Sequence, residues 1–316
     1  MAVYFLNLKT FGRSGGSSAV SAAAYRAGER LRDERAGRTY DHTDRRDVLH
    51  KEILLPGTFA GDEMSWARQR SELWNAAEHA ETRKNSRVAR EYLVALPVEL
   101  DPQQRLDLVR GFSFELVERY RFALDLAVHA PRDYPGSDPR NFHAHLLATT
   151  REVTREGFGA KTSVELNDRT RADLGLRPAI HELLFVRERW ATVTNEALHT
   201  AGVEARIDHR SLAAQGIDRV PYPTIPRAAF EMERHGFRSA QAERLREEYA
   251  ARVEAQQQRQ AARELPAELG ARPPQSLEAI RRQAREEWRR MRQVSVDNSA
   301  RGPENAHDRD DDHLSR

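Results

Sequence analysis

The chain contains no cysteine. That excludes disulfides, thiolate nucleophiles and cysteine-based zinc sites, so any bound metal must be held by histidines and carboxylates. Lysine is scarce, with only Lys9, Lys51, Lys84 and Lys161 against 47 arginines. Basic charge is therefore almost wholly guanidinium, the group whose planar fork matches phosphate and stacks on bases; a base-composition bias of the gene would produce the same skew. Nothing approaches the run of ~18 apolar residues needed to cross a bilayer, and the opening MAVYFLNLKT alternates like a strand, unlike a secretory leader. The expectation is a soluble, cytoplasmic protein without a membrane span. What remains is 316 residues, 39% hydrophobic, with formal net charge +2 and no internal repeat. That is enough for one core of ordinary domain size and a helical extension.

Residues 2–8 read as a first strand, followed by the turn-rich stretch Gly12 to Ser18. An alanine-rich helix is expected over 19–32, carrying Tyr25 near its middle among Arg26, Arg30 and Arg32. Residues 33–50 lack apolar periodicity and read as a hairpin or mobile loop, with a short strand over 51–55. A helix capped by Asp62 runs to about His79, and 88–96 reads as a strand. Asp101, Pro102 and Gln104 spell a capping box before a helical apolar stripe from Leu106 to Val117. Phe122 to Val128 alternates as a strand ended by His129, and 141–153 is a further strand carrying His143 and His145. A polar loop beyond Gly157, a helix over 178–200 and a short strand over 203–207 complete the compact part, whose end is marked by Pro221, Pro223 and Pro226. Glu, Gln, Arg and Ala dominate 239–263 and 277–292, as in solvated helices, and 295–316 reads as disordered.

Side chains two apart on a strand project from the same face, so His143 and His145 emerge side by side. With His129 from another strand they offer three nitrogen ligands to one divalent cation and leave positions open for a substrate oxygen. The HxH pair alone also fits imidazoles hydrogen-bonded on a half-buried face. Tyr25 adds a phenol, which in an arbitrary tyrosine is more often a core or helix-surface aromatic than a nucleophile. A phenol with pKa about 10 needs a base or a cationic setting to attack at neutral pH, and neighbouring arginines or a metal supply the second.

Taken in order, MAVYFLNLKTFGRSGGSSAVSAAAYRAGERL at the start, REYLVALPVEL at 90–100, LAVHA at 126–130, NFHAHLLATTR at 141–151 and DHRSLAAQGIDRVPYP at 208–223 resemble the MobA/MobL group of plasmid mobilization relaxases, members of the HUH endonuclease superfamily. The resemblance spans about residues 1–225. It implies that Tyr25 is the nucleophile, that His129, His143 and His145 hold a divalent metal (magnesium or manganese), and that Glu91 is the acidic residue of the active site. Glu91 could orient a histidine, reach the metal through water, or pair with Arg90 or Arg87; the orienting role is the reading taken here. Leu93 stands where some relatives carry a second carboxylate.

The expected fold is α+β: an antiparallel sheet of about five strands, helices packed mainly on one face, the active site on the open face, and a charged helical C-terminal extension. The expected division is a relaxase domain over 1–225, the extension over 226–294 and a disordered tail over 295–316. The activity implied is that of a conjugative relaxase, which nicks one strand at a plasmid origin of transfer, holds a 5′-phosphotyrosyl intermediate and rejoins the strand after transfer. Its partners would be single-stranded origin-of-transfer DNA, relaxosome accessory proteins and a coupling protein of the secretion machinery, in a plasmid-associated setting. Arg13, Ser14, Arg26 and Arg30 are the expected DNA contacts, while Asp208 to Ser211 either hold the last strand in register or touch DNA. Three other readings share features: a rolling-circle replication initiator, a non-catalytic single-strand-binding accessory protein, and a hydrolase of small phosphoesters. Replication initiators of this superfamily usually carry the HUH motif before the tyrosine, the reverse of the order here. Intact metal ligands argue against the accessory protein.

Overall fold

The computed structural model describes residues 2–57, 64–132, 137–264, 281–282 and 285–290. It divides into two compact units, Met1–Gln215 and Gly216–Arg316. The first is built on an antiparallel sheet: β1 (Leu6–Gly12), β4 (Val48–Leu54), β5 (Arg87–Ala95), β6 (Phe122–His129) and β7 (His143–Thr154) lie in the order β1-β5-β7-β6-β4. A sixth strand, β8 (Gly157–Lys161), pairs with β7, and β2 (Arg30–Asp33) with β3 (Arg38–Asp41) forms a separate hairpin. The sheet thus has six strands where five were expected; the stretch read as a polar loop beyond Gly157 is the sixth.

Strand alternation divides the sheet chemically. Even-numbered residues of β6 and β7, Leu124, Leu126, Ala144 and Leu146 among them, join Tyr92 and Val94 of β5 in an aliphatic and aromatic core beneath α4 (Pro102–Tyr120) and α6 (Ala179–Thr200). Phe112 and Trp190 meet at the centre of that core, with ring centroids 5.0 Å apart. Odd-numbered residues face the other way, where Ala89, Ala123 and Leu147 pack against α1 (Ala19–Ala27), α2 (Ser65–Arg68) and α3 (Arg70–Ala80). The two long helices lie on one face as expected. The opposite face is not bare but partly covered by these short helices; at its histidine end His143 and His145 are half-buried and His129 is buried.

Local chemistry explains the element ends. The capping box of α4 is formed in full, Asp101 accepting from the Gln104 amide while the Gln104 side chain returns to the Asp101 amide. Its far end is Arg121, the one non-glycine residue with positive φ among those described (59°), which turns the chain straight into β6; the left-handed conformation costs of order 1–2 kcal/mol. Helix α1 is capped by Ser18, which accepts from the Ser21 amide, and stops at Gly28 in left-handed conformation. A Cβ there would lie 3.1 Å from Val48. The helix therefore ends at Ala27, not near 32, which puts Tyr25 in its last turn and moves Arg30 and Arg32 onto β2.

Other boundaries shift for readable reasons. β1 begins at Leu6, and Val3 and Phe5, which the alternation placed on a strand, are exposed. Residues 33–50 contain the hairpin and the start of β4. The expected helix to His79 is broken at Gln69, whose backbone is extended (φ −91°, ψ 112°); its cap at Asp62 lies outside the described residues. Residues 203–207 are not a strand, because the Asn195 side chain both accepts from the Ile207 amide at 2.8 Å and donates to its carbonyl at 2.9 Å, replacing a neighbouring strand. In the second unit, α7 (Arg227–Arg234) and α8 (Ala240–Glu264) are helical, as are 281–282 and 285–290 within the expected 277–292 helix. The tail over 295–316 lies outside the described residues.

Candidate active site

The register of β5, β6 and β7 builds the site. His129 and His143 are direct cross-strand partners, while His145 lies opposite Ala127 on one side and Leu93 on the other. Directly opposed residues of antiparallel strands share a face, so all three imidazoles stand together at one end of the sheet. Their nearest ring nitrogens lie within 4.8 Å of one another, and the ring centroids are 4.7–5.3 Å apart.

Each ring has one nitrogen committed to a group that can only accept a hydrogen bond, which fixes the proton on that nitrogen. His145 Nδ1 donates to Glu91 Oε1 at 2.6 Å, His143 Nδ1 to the Asn141 carbonyl at 2.8 Å, and His129 Nε2 to the Arg26 carbonyl at 2.7 Å. The remaining lone pairs are Nε2 of His143 and His145 and Nδ1 of His129. The last receives a hydrogen bond from Arg45 Nη2 at 3.2 Å, which a metal on that nitrogen would replace. Burial disfavours the charged form of all three rings, and the neighbouring imidazoles add to it for His129 and His143; His129 is held at about 3, and His143 and His145 also lie below the ordinary histidine range. Three neutral imidazoles with oriented N–H groups are a donor set able to hold a divalent cation.

Glu91 is 4% exposed. Burial alone would raise its pKa, but hydrogen bonds from His145 and Arg26, with the Arg26 charge, hold it at about 2. Both of its oxygens are engaged, Oε1 by His145 and Arg26 Nε, and Oε2 by Arg26 Nη2 at 2.8 Å. Arg26, expected as a DNA contact, is thus buried on Glu91, one residue after Tyr25 and bonded through its carbonyl to His129.

Tyr25 is half-buried at the exit of α1. Its oxygen accepts a hydrogen bond from Arg132 Nη2 at 2.6 Å, the Arg45 guanidinium lies 4.3 Å from its ring centroid, and Arg45 Nη1 donates to its carbonyl at 2.6 Å. The His42 ring meets its edge, with centroids 5.2 Å apart. Asp47 accepts from Arg45 Nε at 2.8 Å and Arg132 Nε at 3.1 Å. These groups line an open cleft of about 540 Å³. Arg45, Asp47, Arg132 and His42 had no role in the sequence reading. They come from a loop without periodicity and from the residues after β6, and only the tertiary fold brings them to Tyr25.

The other expected contacts are placed elsewhere. Arg13 and Ser14 precede α1, before the end opposite Tyr25, which lies six residues and so about 9 Å along the helix axis from Ala19. The Arg13 guanidinium is turned inward, onto the buried Glu78 carboxylate and the carbonyls of Glu78 and Glu81, whereas Ser14 is exposed. Arg30 is an exposed residue of β2, 3.8 Å from Asp41. Asp208 is bonded locally to the Arg210 amide and guanidinium, in a turn and not a strand.

With this geometry in hand, comparison with known proteins decides the family. The model of the MobA/MobL family matches residues 17–235. The chain belongs to the MobA/MobL family. It is 38% identical over 255 residues to "Mobilization protein MobL" of Acidithiobacillus ferridurans, covering 74% of this chain and 64% of that protein. It is 34% identical over 252 residues to "Mobilization protein A" of Escherichia coli, covering 77% and 32% respectively. A solved structure reported as "Molecular Basis of Vancomycin Resistance Transfer in Staphylococcus aureus" aligns over 66% of this chain and all of its own, with TM-score 0.54 and 29% identity. The chain spans less than two thirds of the length of these curated relatives. No helix among the described residues of this MobA/MobL member is long and apolar enough to cross a membrane.

Proposed function

We propose that this MobA/MobL chain carries the nicking and rejoining activity of a conjugative relaxase. In this reading Tyr25 attacks one phosphodiester of single-stranded origin-of-transfer DNA, forming a 5′-phosphotyrosyl link and releasing a 3′-hydroxyl. The link conserves the phosphodiester's energy, so attack by a 3′-hydroxyl reverses the step without ATP and closes the transferred strand. The observation that carries the reading is the wiring of Tyr25 to the histidines through the next residue: the Arg26 carbonyl accepts from His129, and the Arg26 guanidinium holds Glu91, the partner of His145.

His129, His143 and His145 would hold a divalent metal, magnesium or manganese, which when bound supplies Lewis-acid stabilisation to the scissile phosphate. Glu91 fixes the tautomer of His145. Held at about 2, its carboxylate is a weak base for a phenolic proton, so it acts as an orienting group. Arg45 and Arg132 offer guanidinium charge to the phosphate beside the nucleophile, and exposed Ser14 and Arg30 would serve the DNA farther along. Relatives named for mobilization favour this reading over a replication initiator. It implies a cytoplasmic, plasmid-associated setting, relaxosome accessory proteins and a coupling protein as partners, and an accessory role for the charged helices after residue 225.

The test uses single-stranded oligonucleotides, labelled at the 3′ end, that tile the replicon encoding the chain. The expected result is a labelled protein band, formed only with added manganese or magnesium and removed by protease. If every oligonucleotide survives uncut and the protein stays unlabelled, the reading is wrong.

A further inference from the structure

We propose that Arg132 is a catalytic residue that holds the Tyr25 oxygen in its anionic form, and that Asp47 is the positioning residue that sets Arg132 and Arg45 around the nucleophile. The proposal rests on the nicking reading above. Asp47 is the hub of the cleft. Its side chain is 12% exposed and receives both arginines through their Nε groups. Its backbone is tied down as well, since its carbonyl accepts from the Ala130 amide at 2.8 Å. The carboxylate therefore sits on a fixed frame between β4 and the end of β6, and a guanidinium gripped through Nε presents its outer nitrogens in a set direction.

For Arg132 that direction is the phenolic oxygen, 2.6 Å from Nη2. For Arg45 it is the Tyr25 carbonyl and His129 Nδ1, with its plane near the tyrosine ring. A charged donor bonded to an oxygen that must become an anion favours the anion. The cleft's lining supports the same sign, with Arg45, Arg46 and Arg132 facing Asp44 and Asp47 beside His42. Stability does not explain the arrangement: Arg132 is 47% exposed along its side chain, and exposed ion pairs add little to folding.

In the step proposed, the phenolic proton leaves to solvent while Arg132 stabilises the phenolate. The Tyr25 Oη–P bond then forms as the P–O3′ bond breaks, and the departing 3′-oxygen takes a proton from water. Arg132 neither gains nor loses a proton.

The experiment compares wild type with Arg132→Ala, Arg132→Lys, Asp47→Asn and Asp47→Glu in single-turnover adduct formation on the 3′-labelled oligonucleotides. Binding affinity and thermal melting are measured alongside. Arg132→Ala should slow adduct formation about 100-fold while affinity changes by less than about fivefold, as for one exposed charge. Millimolar guanidinium should restore part of the lost rate, and Arg132→Lys should fall between the two. Asp47→Asn should slow the step about 10- to 100-fold, with recovery in Asp47→Glu. Wild-type rates in Arg132→Ala, a loss of affinity that accounts for the whole loss of rate, or a folded Arg132→Ala indifferent to guanidinium would each overturn the assignment. If the wild type forms no adduct with any oligonucleotide, the nicking reading fails and the proposal falls with it; a wild-type adduct with unaffected variants overturns the proposal alone.

Discussion

The two faces of one sheet are built from different materials. Beneath α4 and α6 the buried groups are mainly aliphatic and aromatic, with Phe112, Phe122, Leu124 and Trp190 at 0–1% exposure. On the opposite face, charged side chains are buried in paired sets: Glu91 with Arg26, Asp125 with Arg70 and Trp74, Glu78 with Arg13 and Arg35. Buried ion pairs are an inefficient source of stability, because desolvation offsets much of their attraction. Their use here follows from what they hold. The Glu91 pair orients a histidine, and Glu78 accepts from the Ala19 amide at 2.7 Å at the N-terminus of the helix that carries Tyr25. The first face keeps the domain folded, and the second keeps the histidine cluster and the helix of Tyr25 in fixed orientation.

Substitutions that strike one face and spare the other break this comparison. Trp190→Ala should cost about 3–5 kcal/mol of stability, read from urea denaturation, while the fraction that remains folded binds manganese with wild-type affinity. Weakened metal binding by the folded fraction would show that the faces are not separable.

Titration separates them by sign. His129 is neutral when folded, because burial holds it at about 3 against an ordinary 6.5. The unfolded chain therefore takes up the proton first, and stability present above pH 6.5 is lost as pH falls toward 3. Tyr92, on the α4 face, is pushed up to about 12 by burial against the opposing charge of Arg90. Its contribution is intact below pH 10 and is lost as pH rises toward 12. Denaturation across pH should show a wild-type acid limb that shallows in His129→Gln and an alkaline limb that shallows in Tyr92→Phe. Limbs that respond to the wrong substitution would contradict the assignment.

Glu91→Gln keeps the shape of the side chain but removes the charge on His145 Nδ1, and should weaken manganese binding about 10- to 100-fold, measured by calorimetry. The smallest effect expected is for Ser18→Ala, about 1 kcal/mol of stability from a lost helix cap, with little change in metal affinity.

The sequence carried most of the site and less of its support. Strand alternation alone sets His143 beside His145, and an uninterrupted pattern to His129 supplies the third ring. The α4 capping box is legible because its signals are adjacent in the chain. What could not be read depends on distance. Gly28 stops α1 because of a close approach by Val48, and Asn195 replaces a strand for Ile207. Arg45, Asp47 and Arg132 meet Tyr25 from segments 20 or more residues away. Arg13 and Arg26 resembled surface phosphate contacts because composition reports charge but not the carboxylate that a folded chain sets against it.

We propose that Tyr25, and no other tyrosine, is the nucleophile beside the histidine cluster. The most direct measurement is peptide mapping, by mass spectrometry, of the protein trapped on its cleaved oligonucleotide. The predicted result is a nucleotide-bearing peptide modified at Tyr25, with Tyr25→Phe still binding manganese and oligonucleotide but forming no adduct. A nucleotide found on Tyr40, Tyr92 or any other residue, or an adduct that persists in Tyr25→Phe, would contradict it.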